Sequence, residues 1–160
     1  MAASSRGKIK TLKKLLTLRQ LWAWEGKKLV FTNGVYDILH AGHVRLLEKA
    51  KSLGDVLVVG LNSDASARRL GKGPGRPVNS WEDRAELLCA LSCVDAVVGF
   101  SEDTPAALLA KLRPDILVKG ADYRKDEIAG REFAGRVVRL PLKKGCSTTG
   151  LIARLVRKDS

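Results

Sequence analysis

Residues Val56 to Val59 form an unbroken apolar run, VLVV, opened by Asp55 and closed by Gly60. A strand with no polar face is covered on both sides, the condition of a central strand in a parallel sheet. The same pattern recurs. Lys28 to Thr32 carries Leu29, Val30 and Phe31 between Gly26 and Gly34, and Asp95 to Val98, Asp115 to Lys119 (closed by Gly120) and Arg136 to Leu140 read as three more strands. Helical signals fall between them. Ala41 to about Leu53 puts Val44, Leu47, Ala50 and Leu53 on one stripe. Ser80 followed by Asp83 reads as a capping box for a helix through Leu91. Thr104 and Pro105 read as the N-cap and first-turn pair of a helix to Leu112, and Thr148 to Arg157 as a last helix. Strands alternating with helices predict an α/β chain with a doubly wound, five-stranded parallel sheet and helices on both faces.

The flanks look different. Met1 to Lys8 is expected to be disordered, and Ile9 to Trp24 reads as a basic amphipathic helix with Leu12, Leu15, Leu16 and Trp22, ended by Gly26. Residues 1–26 are thus expected to be a tail and docking helix, and 27–157 the main domain. A length of 160 residues with 45% hydrophobic content fits one such domain. No apolar run is long enough to span a bilayer and no signal peptide follows Met1, so a cytoplasmic location is the default expectation. Cys89, Cys93 and Cys146 lack zinc-ligand spacing and read as reduced thiols, the first two in the core; no metal site is expected.

A formal charge of +12 asks for an anionic partner. The basic residues are scattered, and aromatics are too few for a base-stacking platform, so small phosphorylated ligands suit the chain better than a polymer. A basic nucleic-acid-binding module stays as the alternative from another functional class. Its signature is salt-sensitive oligonucleotide binding indifferent to ATP.

Both histidines of the chain, His40 and His43, lie in FTNGVYDILHAGH, where the first strand turns into a helix. A helix start presents free backbone N–H groups and the positive end of the macrodipole, and imidazole donates to phosphate near neutral pH. In an open parallel sheet, ligands bind at the carboxyl ends of the strands. That rule brings together Thr32 to His43, Lys119 to Tyr123 and Gly145 to Thr149. In GCSTTG, Ser147, Thr148 and Thr149 offer hydroxyls and amides to phosphate, whereas a simple helix cap explains only one of the three. Ser66 to Asn79, with Arg68, Arg69, Lys72 and Arg76 among glycines and prolines, reads as a mobile basic lid or a plain solvated loop. It is not a Walker loop, because Gly71-Lys72 is followed by Gly73. Arg84, a cation in the first turn of its helix, needs a phosphate or a carboxylate such as Glu82 or Asp83. Lys119 and Asp122 frame Gly120. No histidine neighbours a serine in sequence and no carboxylate pair is spaced for covalent catalysis, so the set suits phosphoryl or nucleotidyl transfer by charge stabilisation.

These residues resemble a known family. The HxGH element from His40 to His43, with Asn33-Gly34 and Asp37 before it and Ser-Thr-Thr at 147–149, resembles the cytidylyltransferase-like nucleotidyltransferases. The blocks NSDAS (62–66), GPGRPVN (73–79), EDRAELL (82–88), VDAVVGF (94–100), EDTP (102–105) and RPDILVKGADY (113–123) are similar to the heptose 1-phosphate adenylyltransferases of lipopolysaccharide precursor synthesis. The resemblance covers roughly residues 27–155. It implies a Rossmann-like fold and transfer of AMP from ATP, with Mg2+ carried on the triphosphate, to D-glycero-β-D-manno-heptose 1-phosphate, giving ADP-heptose and pyrophosphate.

On that resemblance His40 and His43 stabilise the pentacoordinate phosphorus, and Ser147, Thr148 and Thr149 hold the β- and γ-phosphates. Thr32, Asn33, Gly34 and Asp37 line the nucleotide cleft, Gly120 and Asp122 the base and ribose side, and Lys72, Arg84 and Lys119 take the remaining phosphate charge. The resemblance implies small-molecule partners, with no nucleic acid or membrane, and leaves a homodimer open. Many relatives are fused to a sugar kinase, so a separate heptose kinase is expected for a chain of this length. Glycerol 3-phosphate cytidylyltransferase is the nearest competitor, but its pattern has an arginine where this chain has Leu142. ATP over other nucleoside triphosphates is not fixed by the residues.

Overall fold

A computed structural model describes residues 5–158. Five parallel strands, β1 (Leu29–Gly34), β2 (Val56–Asn62), β3 (Ala96–Phe100), β4 (Ile116–Gly120) and β5 (Arg136–Leu140), form one sheet in the order β3-β2-β1-β4-β5. The α/β, doubly wound architecture expected from the apolar runs is present. All seven residues of β2 are buried, as an unbroken apolar strand requires.

Helices cover both faces. Ala41–Lys51 is α2 and Trp81–Ala90 is α4; Leu47, Ala50, Ala85 and Leu88 pack on Val30, Leu57, Val59 and Leu61. On the other face, Leu15 from α1 (Leu12–Trp24) and Leu108, Leu109 and Leu112 from α5 (Ala106–Leu112) pack on Leu29, Phe31, Val58 and Leu117. Adjacent strand residues thus feed opposite cores.

The expected helix from Ile9 begins three residues later. Ile9 bridges Val97 as a parallel extension beside β3, and α1 starts at Leu12 with Thr11 as its N-cap. Arg19 of α1 reaches the carbonyls of Leu112 and Arg113, so the helix docks on the domain by polar as well as apolar contacts. Of the segment expected to be disordered, residues 1–4 lie outside the described residues. Ser5–Lys8 instead forms a 3-10 turn, and Arg6 pairs with Glu86. Among the described residues no helix is long and apolar enough to cross a membrane.

The register sets the position of the cleft. β1 and β2 pair over six positions and β4 and β5 over five, but β1 and β4 pair only at Val30–Ile116 and Phe31–Leu117. Beyond those two rungs β1 and β4 part. Strand order reverses at this point, so the crevice opens at the carboxyl ends where an α/β sheet takes its ligand.

Two local expectations need correction. Thr104 does not cap α5; Pro105 occupies the N-cap position and no side chain bonds the helix start. The segment 66–79 is not free throughout. Its start belongs to α3 (Asp64–Arg69), where Ser66 is wholly buried, accepts from Asn62 Nδ2 and donates to the carbonyl of Glu102. Its end is tied to Asp37.

Candidate active site

His40 is the N-cap of α2, and its Nδ1 accepts from the backbone N–H of Gly42 at 3.1 Å. That bond fixes the tautomer of the neutral ring and leaves Nε2–H as the donor. His43, in the first turn of the same helix, stacks on His40 with centroids 3.8 Å apart and planes inclined by 19°. Tyr36 meets His43 edge-on at 5.1 Å. Two charged imidazoles at this separation would repel. Burial pushes the pKa of both histidines down; for His43, burial, then His40, then Lys72 bring it to about 4. In the free protein the pair is therefore held toward its neutral form at the start of α2.

Gly42 sits where only a hydrogen fits. A Cβ there would lie 2.9 Å from Cys146 Cβ and 2.9 Å from His40 Nδ1. The loop before α6 (Thr148–Lys158) is thereby pressed against the start of α2, which closes the site. Gly42→Ala is expected to displace His40 from its cap and lower kcat about a hundredfold. Nucleotide-dependent turnover beside a circular-dichroism spectrum checks this.

A cavity of about 290 Å³ holds the histidines together with Thr32, Asn33, Gly34, Asp37, Lys72, Lys119, Gly120, Asp122, Ser147, Thr148 and Thr149. Three strand ends supply it. Ser147 caps α6 by accepting from Gly150 N at 3.0 Å, and Thr148 Oγ1 donates to the Ile38 carbonyl at 3.3 Å. That leaves the O–H groups of Ser147 and Thr149 and the first amides of α6 to donate to an anion. Asn33 Oδ1 and His43 Nδ1 are buried without a partner among the described residues. Lys119 lies 5.2 Å from the Tyr123 ring centroid, and burial lowers its pKa to about 8 against the pull of Asp122. Gly120 faces the Asp122 carboxylate and Leu142, so a Cβ there would push those side-chain ends aside.

Arg84 lies elsewhere, which corrects its expected role. It is fully buried; Nε donates to the Asn79 carbonyl, Nη1 to those of Val35 and Asn62, and Nη2 to Asp64 at 2.6 Å. With its donors engaged, it is a scaffold residue, and its partner carboxylate is neither Glu82 nor Asp83. Asp37 borders the cavity, but its carboxylate already accepts from Arg76, Val78 N and Asn79 N. It anchors the basic loop at the cleft, and it takes Arg76 out of the pool of free cations.

Sequence reasoning passed over Tyr36 and Tyr123. Tyr36 adopts φ 48°, rare for a bulky residue, and this turn carries its ring back over Gly34 to His43. The aromatic beside the histidine motif was the available signal. Cys146, left open in the sequence, lines the cavity, whereas Cys89 and Cys93 pack in the core.

Residues 31–154 match the family model described as cytidylyltransferase-like. The chain belongs to the cytidylyltransferase-like family. This member is 52% identical over 150 residues to the bifunctional protein HldE of Helicobacter acinonychis (strain Sheeba), covering 94% of this chain and 32% of that protein. It is 60% identical over 138 residues to the HldE of Mesorhizobium japonicum, covering 84% of this chain and 28% of that protein. The chain spans about a third of the length of the curated relatives it matches. The crystal structure of the lipopolysaccharide core biosynthesis protein from Thermoplasma volcanium GSS1 superposes with a TM-score of 0.63 at 31% identity, covering 74% of this chain and 100% of that one. Pantoate-beta-alanine ligase from Francisella tularensis shares the fold, with a TM-score of 0.61 at 17% identity over 93% of this chain and 78% of that one. The cytidylyltransferase-like chain is a nucleotidyltransferase.

Proposed function

We propose that the chain transfers AMP from ATP to D-glycero-β-D-manno-heptose 1-phosphate, releasing pyrophosphate and ADP-heptose for lipopolysaccharide or related surface-polysaccharide precursors. The observation that carries the reading is the stacked neutral histidine pair at the start of α2, in one cavity with the amides and hydroxyls before α6. The sequence blocks shared with heptose 1-phosphate adenylyltransferases, and 31% identity to a lipopolysaccharide core biosynthesis protein, support the substrate class.

The acceptor phosphate oxygen attacks the α-phosphorus in line, and the pyrophosphate oxygen leaves on the opposite side. His40 and His43 donate to the non-bridging α-oxygens as charge builds on them, without any proton transfer being required of them. The start of α6 and Thr149 hold the β- and γ-phosphates, and Lys72 and Lys119 balance the remaining charge. Leu142, against Gly120, gives the base side an apolar wall where the competing cytidylyltransferase pattern has arginine. Magnesium enters as part of the ATP substrate. Among the described residues no group of three or more His, Cys, Asp or Glu could hold a metal, and the ion would be held by the phosphates of its substrate and by water.

Pyrophosphate release that requires both ATP and heptose 1-phosphate is the test; release with neither sugar phosphate nor ATP preference defeats the reading. The profile of kcat/KM against pH should fall above about 8, as Lys119 loses its proton in the free protein. Bound triphosphate favours the charged lysine and raises its pKa, so the limb in kcat should lie higher than the limb in kcat/KM. An unshifted profile in Lys119→Met would assign the limb to another group.

A further inference from the structure

A second cavity of about 260 Å³ adjoins the first and shares Asn33, Gly34, Val35, Lys72, Lys119 and Tyr123 with it. The walls that are not shared come from different segments: His40, His43 and residues after β5 belong to the first alone, and residues after β2 and β3, with the 127–129 turn after β4, to the second alone. The first cavity extends past β5 to residues 142–149, whereas the second extends past β2 and β3 to Asn62, Leu70 and residues 103–105, and to 127–129. In-line displacement places the attacking group opposite the leaving pyrophosphate. With pyrophosphate at the start of α6, which lines the first cavity only, the adjoining second cavity is the space left for the attacking group.

Charge in this second cavity is polarised. Its cations, Lys72 and Lys119, stand on the shared wall, and its carboxylates, Asp103 and Glu127, on the wall it does not share, which Thr104 and apolar Leu70, Pro105 and Ile128 also line. A ligand matching this is anionic at one end and uncharged, hydroxyl-rich at the other. Carboxylates accept from hydroxyls and repel a second phosphate. Asn33 Oδ1, buried on the shared wall without a partner, calls for a donor that a phosphate lacks and a hydroxyl has. Asp103 is already paired with Arg69 at 2.6 Å, while Glu127 approaches Arg124 only to 3.7 Å, and Thr104 is released from capping α5.

We infer that this cavity is the acceptor chamber, and that Glu127 and Thr104 on its unshared wall select a sugar carrying a single phosphate by reading its hydroxyls. The inference rests on the transferase reading above. Both side chains are exposed positions on short segments, so their substitution leaves the core untouched.

Pyrophosphate release from the full chain, with heptose 1-phosphate and ATP varied in turn, tests it. Glu127→Ala and Thr104→Val should each raise the KM for the sugar phosphate, by about tenfold for the charge-assisted bond of Glu127 and less for Thr104, with the KM for ATP unchanged. Glu127→Lys should favour a sugar bisphosphate over the monophosphate, the reverse of the parent preference. An unchanged acceptor KM in both variants, or a rise shared equally with ATP, overturns the chamber while leaving the transferase standing. Absence of turnover by the parent protein on any sugar 1-phosphate overturns the transferase, and this inference with it.

Discussion

Replacing His43 with alanine is expected to lower kcat and kcat/KM together, by a factor of about 10² to 10⁴, with the fold intact. The ring stacks on His40 at 3.8 Å and meets Tyr36 edge-on, so its place in the cavity is fixed from two sides. A donor held in this way needs no reorganisation when charge develops at the α-phosphorus, and its loss is felt in the transition state rather than in ATP binding. Truncation of the ring opens a water-sized space at the cavity wall and removes no strand contact. Single-turnover measurement of pyrophosphate release at saturating ATP, next to a thermal melt, separates the two effects. Turnover within experimental error of the parent would remove the histidine pair from the reaction.

Arg84→Ala is expected to cost about 3–5 kcal/mol of folding free energy, a large share of the roughly 5–15 kcal/mol available to a domain of this size. One guanidinium satisfies carbonyls after β1, at the end of β2 and at the end of the basic loop, and pairs with Asp64 at the start of α3. Alanine leaves one buried and two part-buried carbonyls, and the Asp64 carboxylate, without their donors. Urea unfolding followed by fluorescence measures the loss. Below the melting temperature of the variant, its KM for ATP should match that of the parent, because Arg84 does not border the cavity. A raised KM with unchanged stability would restore the phosphate-binding role expected from the sequence.

The contrast between Arg84 and the histidines shows what the sequence could and could not carry. His40 and His43 were legible because the partners that matter, a helix start and its amides, lie within a few residues of them. Arg84 has partners at Val35, Asn62 and Asp64, brought near only by folding, so its neighbours in sequence suggested the wrong ones. The strands were legible for a similar local reason: runs such as VLVV admit one environment. α3 was missed because DASARR is six residues long and buries only Ser66 and Ala67, which leaves no apolar stripe. The Thr104 cap failed because Pro105 itself takes the capping position. For Tyr36 the adjacent histidine motif was a signal for its place in the site, but its left-handed backbone, which turns the ring onto His43, has no local sequence mark. Asp37 lines the cavity, and its commitment to Arg76 and to the amides of Val78 and Asn79 could be read only from the coordinates.

The seam between β1 and β4 holds by two rungs, while each neighbouring strand pair holds by five or six. The sheet is therefore two leaves, one of three strands and one of two, hinged below the crevice and unfastened above it. A nucleotide lodged in the gap touches both leaves and clasps them together. Occupancy then feeds directly into cohesion: ligand at a hundred times its dissociation constant adds about 2.7 kcal/mol by mass action. Amide exchange should slow on both sides of the seam at once, in Thr32 to Gly34 and in Lys119 to Gly120.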